Sequence, residues 1–303
     1  MTDLKKGTAA MAAAYLWWGL MPFYWFFLNG IPSIEIIAYR ILFSFITIVV
    51  FLAATKNLKV FGIVRDWKKS LLIAGGALML AINWTVYIYS ISIGLYSQAS
   101  MGYYLTPIVS ILLGLVFLKE KMTKKQKIAF VLVSVGVAYY IFTQGFVPYI
   151  SLVLAATFGT YGLYKKTAGL TSAQSMALET GFLLPAGLAV LAVIQSGKGM
   201  ALATGGFTTV ILIILAGVMT VVPLILFSEG AQRIPLVRVG FLQYIAPSLM
   251  LFAGLVLGEK FNINQLVCFV FIWSGLAVYT ASNIKKGRDE YAGKDNMRHT
   301  AGT

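Results

Sequence analysis

Long apolar blocks, broken by short polar or glycine-rich stretches, recur along this chain from its start to about residue 284. A helix needs about 20 mainly apolar residues to cross the hydrocarbon core of a bilayer. Ten blocks have roughly that length, at 7–28, 35–54, 70–93, 97–118, 127–146, 148–164, 172–194, 207–228, 237–258 and 263–283. Strands of a membrane β-barrel would be about ten residues long with alternating polarity, and no block alternates. The pattern therefore predicts an all-α integral membrane protein with ten transmembrane helices. A basic tail at 285–303 is expected to be disordered. The first block follows Lys5 and Lys6, as a signal peptide would. It is too long for one, so it reads as a retained helix.

Composition supports the pattern. Apolar residues make up 59% and charged residues 11% of the 303, and the mean hydropathy is +0.84. A soluble core of this size cannot hide so much apolar surface. A single cysteine, Cys268, and a single histidine, His299, leave no material for a disulfide, a His-based triad or a His/Cys metal site, so no metal and no cofactor are expected. The net charge of +14 is a matter of topology. With the N-terminus in the cytoplasm, twenty Lys and Arg fall on the inner side, and only Lys198 and Lys260 fall outside. That asymmetry predicts an inner-membrane protein with both termini cytoplasmic and no nucleic-acid partner.

The chain also repeats itself. At an offset of 140, Gly19, Tyr24, Pro107 and Gly114-Leu115-Val116 match Gly159, Tyr164, Pro247 and Gly254-Leu255-Val256. At 139, Glu120-Lys121, Gln126, Gly136 and Tyr140 match Glu259-Lys260, Gln265, Gly275 and Tyr279. The halves, 1–146 and 147–284, would each hold five spans, so the second would enter the membrane from the opposite side. Inverted repeats with a site near the midplane characterise secondary transporters. One such repeat pair fused in one chain makes a monomer sufficient. Thr123-Lys124-Lys125-Gln126 and Asn262-Ile263-Asn264-Gln265 both fit capping boxes.

Two ionisable side chains lie inside spans, Arg40 and Glu179, at equivalent repeat positions. Such residues are functional candidates. Each lies about 10 Å from its own membrane face, which leaves a gap on the order of 10 Å between them, so separate partners are expected. Glu179, read as the only deep acid, is the candidate for any proton coupling. Asn83, Tyr87 and Ser90 form one polar face of the third helix, and the fourth follows with Gln98, Ser100, Tyr103, Tyr104 and Thr106. Polar faces in a bilayer must look at protein or water, so these helices either line a cavity or bond to their neighbours. Trp17, Tyr24, Trp84, Tyr161, Gln243 and Tyr244 join the cavity candidates, with Pro22, Pro107, Pro223 and Pro247 as kinks or hinges. No phosphate-binding loop and no channel filter is present.

The runs Asn83-Trp84, Gln98-Ala99-Ser100-Met101-Gly102-Tyr103-Tyr104, Leu118-Lys119-Glu120-Lys121, Phe158-Gly159-Thr160-Tyr161-Gly162-Leu163, Val222-Pro223-Leu224, Gly240-Phe241-Leu242-Gln243-Tyr244-Ile245 and Gly258-Glu259-Lys260 resemble the RarD branch of EamA-type transporters. The resemblance implies the drug/metabolite transporter architecture, with a central cavity lined mainly by helices 1, 3, 4, 6, 8 and 9. It also places Arg40 and Glu179 on more peripheral helices. The sequence departs from the branch at Tyr39, Gln98 and Thr106, where His, Glu and Asn are common. Losing the acid and the His weakens proton or cation handling. The expectation is a non-enzymatic secondary exporter of small metabolites such as amino acids, embedded in membrane lipid. A proton-coupled exporter of amphipathic cations and a non-transporting scaffold or receptor are the alternatives.

Overall fold

The computed structural model describes residues 3–28, 30–93, 95–197, 199–257 and 262–300, with the side chains of 88, 91, 92, 96, 97 and those beyond 281 excepted. Lys198, Gly258, Glu259 and Lys260, the side chain of His299 and those of the basic tail lie outside the described residues. The elements in order are α1 (Asp3–Phe26), α2 (Ser33–Ala54), a 3-10 turn (Leu58–Arg65), α3 (Trp67–Ser92), α4 (Tyr96–Val116), α5 (Lys124–Gln144) and α6 (Tyr149–Thr167). They continue with α7 (Ser172–Gly197), a single turn α8 (Ala201–Thr204), α9 (Phe207–Arg233), α10 (Leu236–Gln243), α11 (Ile245–Val256) and α12 (Ile263–Thr300). The chain is all-helical, with no strand among the described residues.

Among the described residues, eight stretches are long and apolar enough to cross a membrane: α2, α3, α4, α5, α7, α9, α10 with α11, and α12. The other two predicted spans form helices, α1 and α6, that are less apolar. Asp3, Lys5 and Lys6 open α1, while α6 carries Ser151, Thr157, Thr160 and Lys165-Lys166. Helix starts follow local chemistry. Thr123 and Gln126 form the expected capping box on α5. Thr171 and Gln174 make the same exchange at α7. At α12, Asn262 accepts from the Asn264 N–H, 2.9 Å away. Gly145 ends α5 at φ 70, the left-handed geometry that glycine adopts without a Cβ clash.

The contacts divide the chain into two compact units, residues 1–118 with 148–259 and residues 119–147 with 260–303. In the larger unit α1 packs on α9 and α11, α2 on α7 and α9, and α6 on α3 and α4. Small residues set the distances. A Cβ at Gly19 would lie 2.6 Å from Leu249, and one at Gly159 would lie 2.9 Å from Val109. Gly159 and Leu249 follow Gly19 and Val109 by the same 140 residues. The Tyr244 hydroxyl likewise donates to the carbonyl of Tyr104, its equivalent, at 3.0 Å. The smaller unit is α5 against α12. There a Cβ on Gly136 would lie 3.0 Å from the Cys268 carbonyl, and one on Gly275 would lie 2.8 Å from that of Ala129. Ala129 and Cys268 are again 139 apart, as the two glycines are.

Helices α1, α4 and α9 continue through Pro22, Pro107 and Pro223. Among the described residues the ninth predicted span breaks, between α10 and α11 at Tyr244, one turn before Pro247. The Pro247 ring removes the N–H that would reach the Gln243 carbonyl. The interior is sealed around Met11, Tyr15, Tyr161, Phe227 and Leu236.

Candidate functional site

The two charged residues predicted inside spans occupy very different surroundings. Glu179 on α7 is sealed. Both its oxygens accept from the Lys165 ammonium, at 2.7 and 2.8 Å, the Ser175 hydroxyl donates to it at 2.7 Å, and Tyr161 donates at 3.0 Å. Lys165 is 1% exposed and also donates to Ser175 at 2.8 Å. Sequence alone counts Lys165 with the cytoplasmic loop charges; the structure puts it in the last turn of α6, folded back against α7. The signal is present as two polar i, i+4 pairs, Tyr161/Lys165 and Ser175/Glu179, on consecutive helices. Close packing makes room for this cluster, since Gly75 and Gly76 on α3 lie against Tyr164, and Gly76 also faces Glu179.

Arg40 on α2 has no such partner. Its Nε donates to the Thr220 hydroxyl of α9 at 3.0 Å. Its guanidinium carbon lies 4.6 Å from the Trp84 ring centroid on α3 and 5.3 Å from that of Trp25 on α1. The phenols of Tyr24, Tyr87 and Tyr103 surround the same charge. Among the described residues no carboxylate lies within 4.0 Å of it. Two cation–π contacts and one hydrogen bond contribute about 0.5–2 kcal/mol each. That is less than the several kcal/mol for fully desolvating an ion, and Arg40 is only half-buried. Tyr87 and Tyr103 remain 37% and 40% exposed, although densely surrounded, and their rings meet at 6.2 Å. Dense surroundings with retained access describe a recess.

The cavity candidates thus divide. Tyr24, Trp84, Tyr87 and Tyr103 converge on Arg40, joined by Trp25, which no pattern in the sequence singles out. The others are occupied by the fold. Gln98 is buried and caps α6 by accepting from the Ile150 N–H at 3.1 Å, while its own carbonyl accepts from Ser151 at 2.6 Å. Asn83 donates to the Leu154 carbonyl and the Thr157 hydroxyl, both at 2.9 Å. Trp17 donates to the Met219 carbonyl at 3.2 Å; of the four around Arg40, Tyr24 is also tied down, its hydroxyl donating to the Leu212 carbonyl. Tyr161 and Tyr244 are fully buried, whereas Ser100 is half-buried. Gln243 Oε1 is buried without a hydrogen-bond partner, and the Tyr15 hydroxyl lies beside it without a bond of normal length. A second buried acid also emerges, in the first turn of α2. Glu35, 3% exposed, accepts from Tyr39 at 2.9 Å and from the Ala201 N–H at 2.6 Å, fixing the start of α8. No group of three metal-ligating side chains occurs among the described residues. A pocket of about 160 Å³ between Phe51, Asn57 and Gln174 lies at the far ends of α2 and α7, away from the recess.

Residues 5–142 match the EamA-like transporter family. The chain is 40% identical to the "Uncharacterized transporter YojE" of Bacillus subtilis over 93% of its own length and 96% of that protein's. It is 33% identical to "Protein RarD" of Escherichia coli, with 92% and 95% covered. At 26% identity it also matches the "Chloramphenicol-sensitive protein RarD" of Pseudomonas aeruginosa, with 88% and 91% covered. A solved structure described only as "Crystal structure of protein" superposes with a TM-score of 0.70 at 15% identity, covering 91% of this chain and 97% of that one. At that identity the likeness concerns the fold alone.

Proposed function

The chain belongs to the RarD-type branch of the EamA-like transporter family, and from that membership we propose that it is a secondary exporter working by alternating access of two inverted five-helix repeats. The proposal includes ten spans, with α1 and α6 completing the eight that are apolar enough on their own, and cytoplasmic termini in the inner membrane. One observation carries it: equivalent residues of the two halves make equivalent contacts. Gly19 on Leu249 answers Gly159 on Val109. Within the smaller unit, Gly136 against Cys268 answers Gly275 against Ala129. Reciprocal contacts of this kind are the mark of twofold relations. Helices packed through glycine at such distances can move as bodies while keeping their partners.

Small metabolites, amino acids among them, are the substrate class that fits a recess of aromatic and hydroxyl side chains near an arginine. Export of amphipathic cations by proton exchange is less well supported, because the recess holds no acid among the described residues. A titrating Glu179 would also leave the buried Lys165 without its counter-charge. One relative carries chloramphenicol sensitivity in its name; for this chain, chloramphenicol is one compound to include in a flux screen. The test is flux in proteoliposomes loaded with amino acids and aromatic metabolites, with and without a pH gradient. Flux above protein-free vesicles is expected for at least one compound. Its absence for every compound shifts the reading to a scaffold or receptor, and flux that follows the gradient restores proton coupling.

A further inference from the structure

Arg40 is held in a way that leaves only part of it available. Its Nε is committed to Thr220, and the Trp84 and Trp25 rings lie over the guanidinium at 4.6 and 5.3 Å. A guanidinium donates hydrogen bonds in its own plane, through an edge that matches the two oxygens of a carboxylate. Neither terminal nitrogen of Arg40 makes a hydrogen bond to a described residue. The side chain is thus already oriented, so little rotamer freedom remains to be lost on binding. The two buried acids, Glu35 on the same helix and Glu179 on α7, do not serve as its counter-ion. Glu35 bonds Tyr39 and the start of α8, and Glu179 is neutralised by Lys165. The Tyr87 and Tyr103 rings, packed on each other at 6.2 Å, stand beside the same charge.

The geometry points to Arg40 as the anchor for the carboxylate of a small organic acid, whose apolar or aromatic body packs against Trp25, Trp84, Tyr87 and Tyr103. The assignment rests on the transporter reading above and specifies the substrate class of its recess. A carboxylate completes the unsatisfied cation, and flat side chains offer stacking area at low entropic cost. An amine would meet a like charge with no acid to offset it. A phospholipid headgroup offers the same oxyanion chemistry, so the experiment has to separate the two sources.

The test is calorimetric binding to the full-length protein in phospholipid-free detergent. The probes are acetate, 3-phenylpropionate and phenylalanine, each set beside its neutral amide, with phenethylamine as the cation. At least one carboxylate is expected to bind tenfold or more tightly than its amide, 3-phenylpropionate more tightly than acetate, and phenethylamine not measurably. Arg40→Gln should bring the preferred carboxylate down to the level of its amide, and Arg40→Lys should keep part of the preference. Should Arg40→Gln not yield monodisperse protein, Trp84→Leu serves in its place and should weaken 3-phenylpropionate more than acetate. Equal binding of every acid and its amide, or a preference that survives Arg40→Gln, overturns the assignment. So does loss of the carboxylate signal when phosphatidylglycerol is added at low mole fraction, because a lipid phosphate then holds the site. Binding as expected without flux in vesicles would count against the transporter reading and leave the anchor standing. Flux without any carboxylate preference would do the reverse.

Discussion

Arg40 and Glu179, the two charges read from the sequence as lying inside spans, are 139 residues apart, and the fold treats them in opposite ways. Glu179 is surrounded by three donors, one of them a buried ammonium, and is closed to its surroundings. Arg40 has two aromatic rings, one hydroxyl and terminal nitrogens that make no hydrogen bond to a described residue. A charge whose hydrogen bonds are all made inside the protein is part of the structure, because moving or protonating it strands its partner. A charge whose hydrogen bonds are left unmade at an accessible edge is available to a ligand. The buried pair at Glu179 therefore serves stability, whereas Arg40 is the charge proposed for recognition.

The sharpest way to break that comparison is to remove the sealed carboxylate. Glu179→Leu leaves the Lys165 ammonium buried and unpaired, with an expected loss of about 3–5 kcal/mol. It should show as a large fall in folded yield and in unfolding temperature in detergent. The double variant Lys165→Met/Glu179→Leu should recover most of that loss, since removing both charges removes their desolvation as well. A double variant no better than the single one would mean that the pair does more than neutralise itself.

Tyr161→Phe removes one hydrogen bond to a charged acceptor and should cost about 1.5–3 kcal/mol by thermal unfolding, with little change in flux. On the open side, Thr220→Val removes the hydroxyl that orients the guanidinium. A loss of about 1 kcal/mol in stability is expected, with a larger proportional fall in binding of 3-phenylpropionate. The smallest effect on stability belongs to Arg40→Gln, below about 1 kcal/mol, because an unpaired charge brings its own desolvation penalty along with its cation–π contacts. If Arg40→Gln destabilises the protein as strongly as Glu179→Leu does, the distinction between the two sites fails.

Much of this molecule is legible in one dimension. Helix type, span positions and membrane character come from apolar block length, which a bilayer imposes on any chain that crosses it. The Thr123 capping box can be read directly because its partners lie three residues apart. The resemblance to RarD-type chains rests on contiguous runs, and the relatives bear it out. The roles of Gln98 and Lys165 cannot be read this way. Gln98 stands in a polar face that suits a cavity equally well, and it caps α6 only because α4 brings it to the Ile150 N–H. Lys165 counts as one more positive charge near a helix end until α6 and α7 fold together.

What the sequence determined by itself is periodic and local: an all-helical membrane chain, its spacing of 139 and 140 residues, and the family that carries those runs. The tertiary structure decided which polar side chains are satisfied. Hydrogen bonds and ion pairs between helices depend on distances of about 3 Å between residues far apart in the chain, and no spacing along one strand of sequence encodes them. In a low-dielectric interior that difference decides whether a charge is sealed, as at Glu179, or left with an edge to offer, as at Arg40.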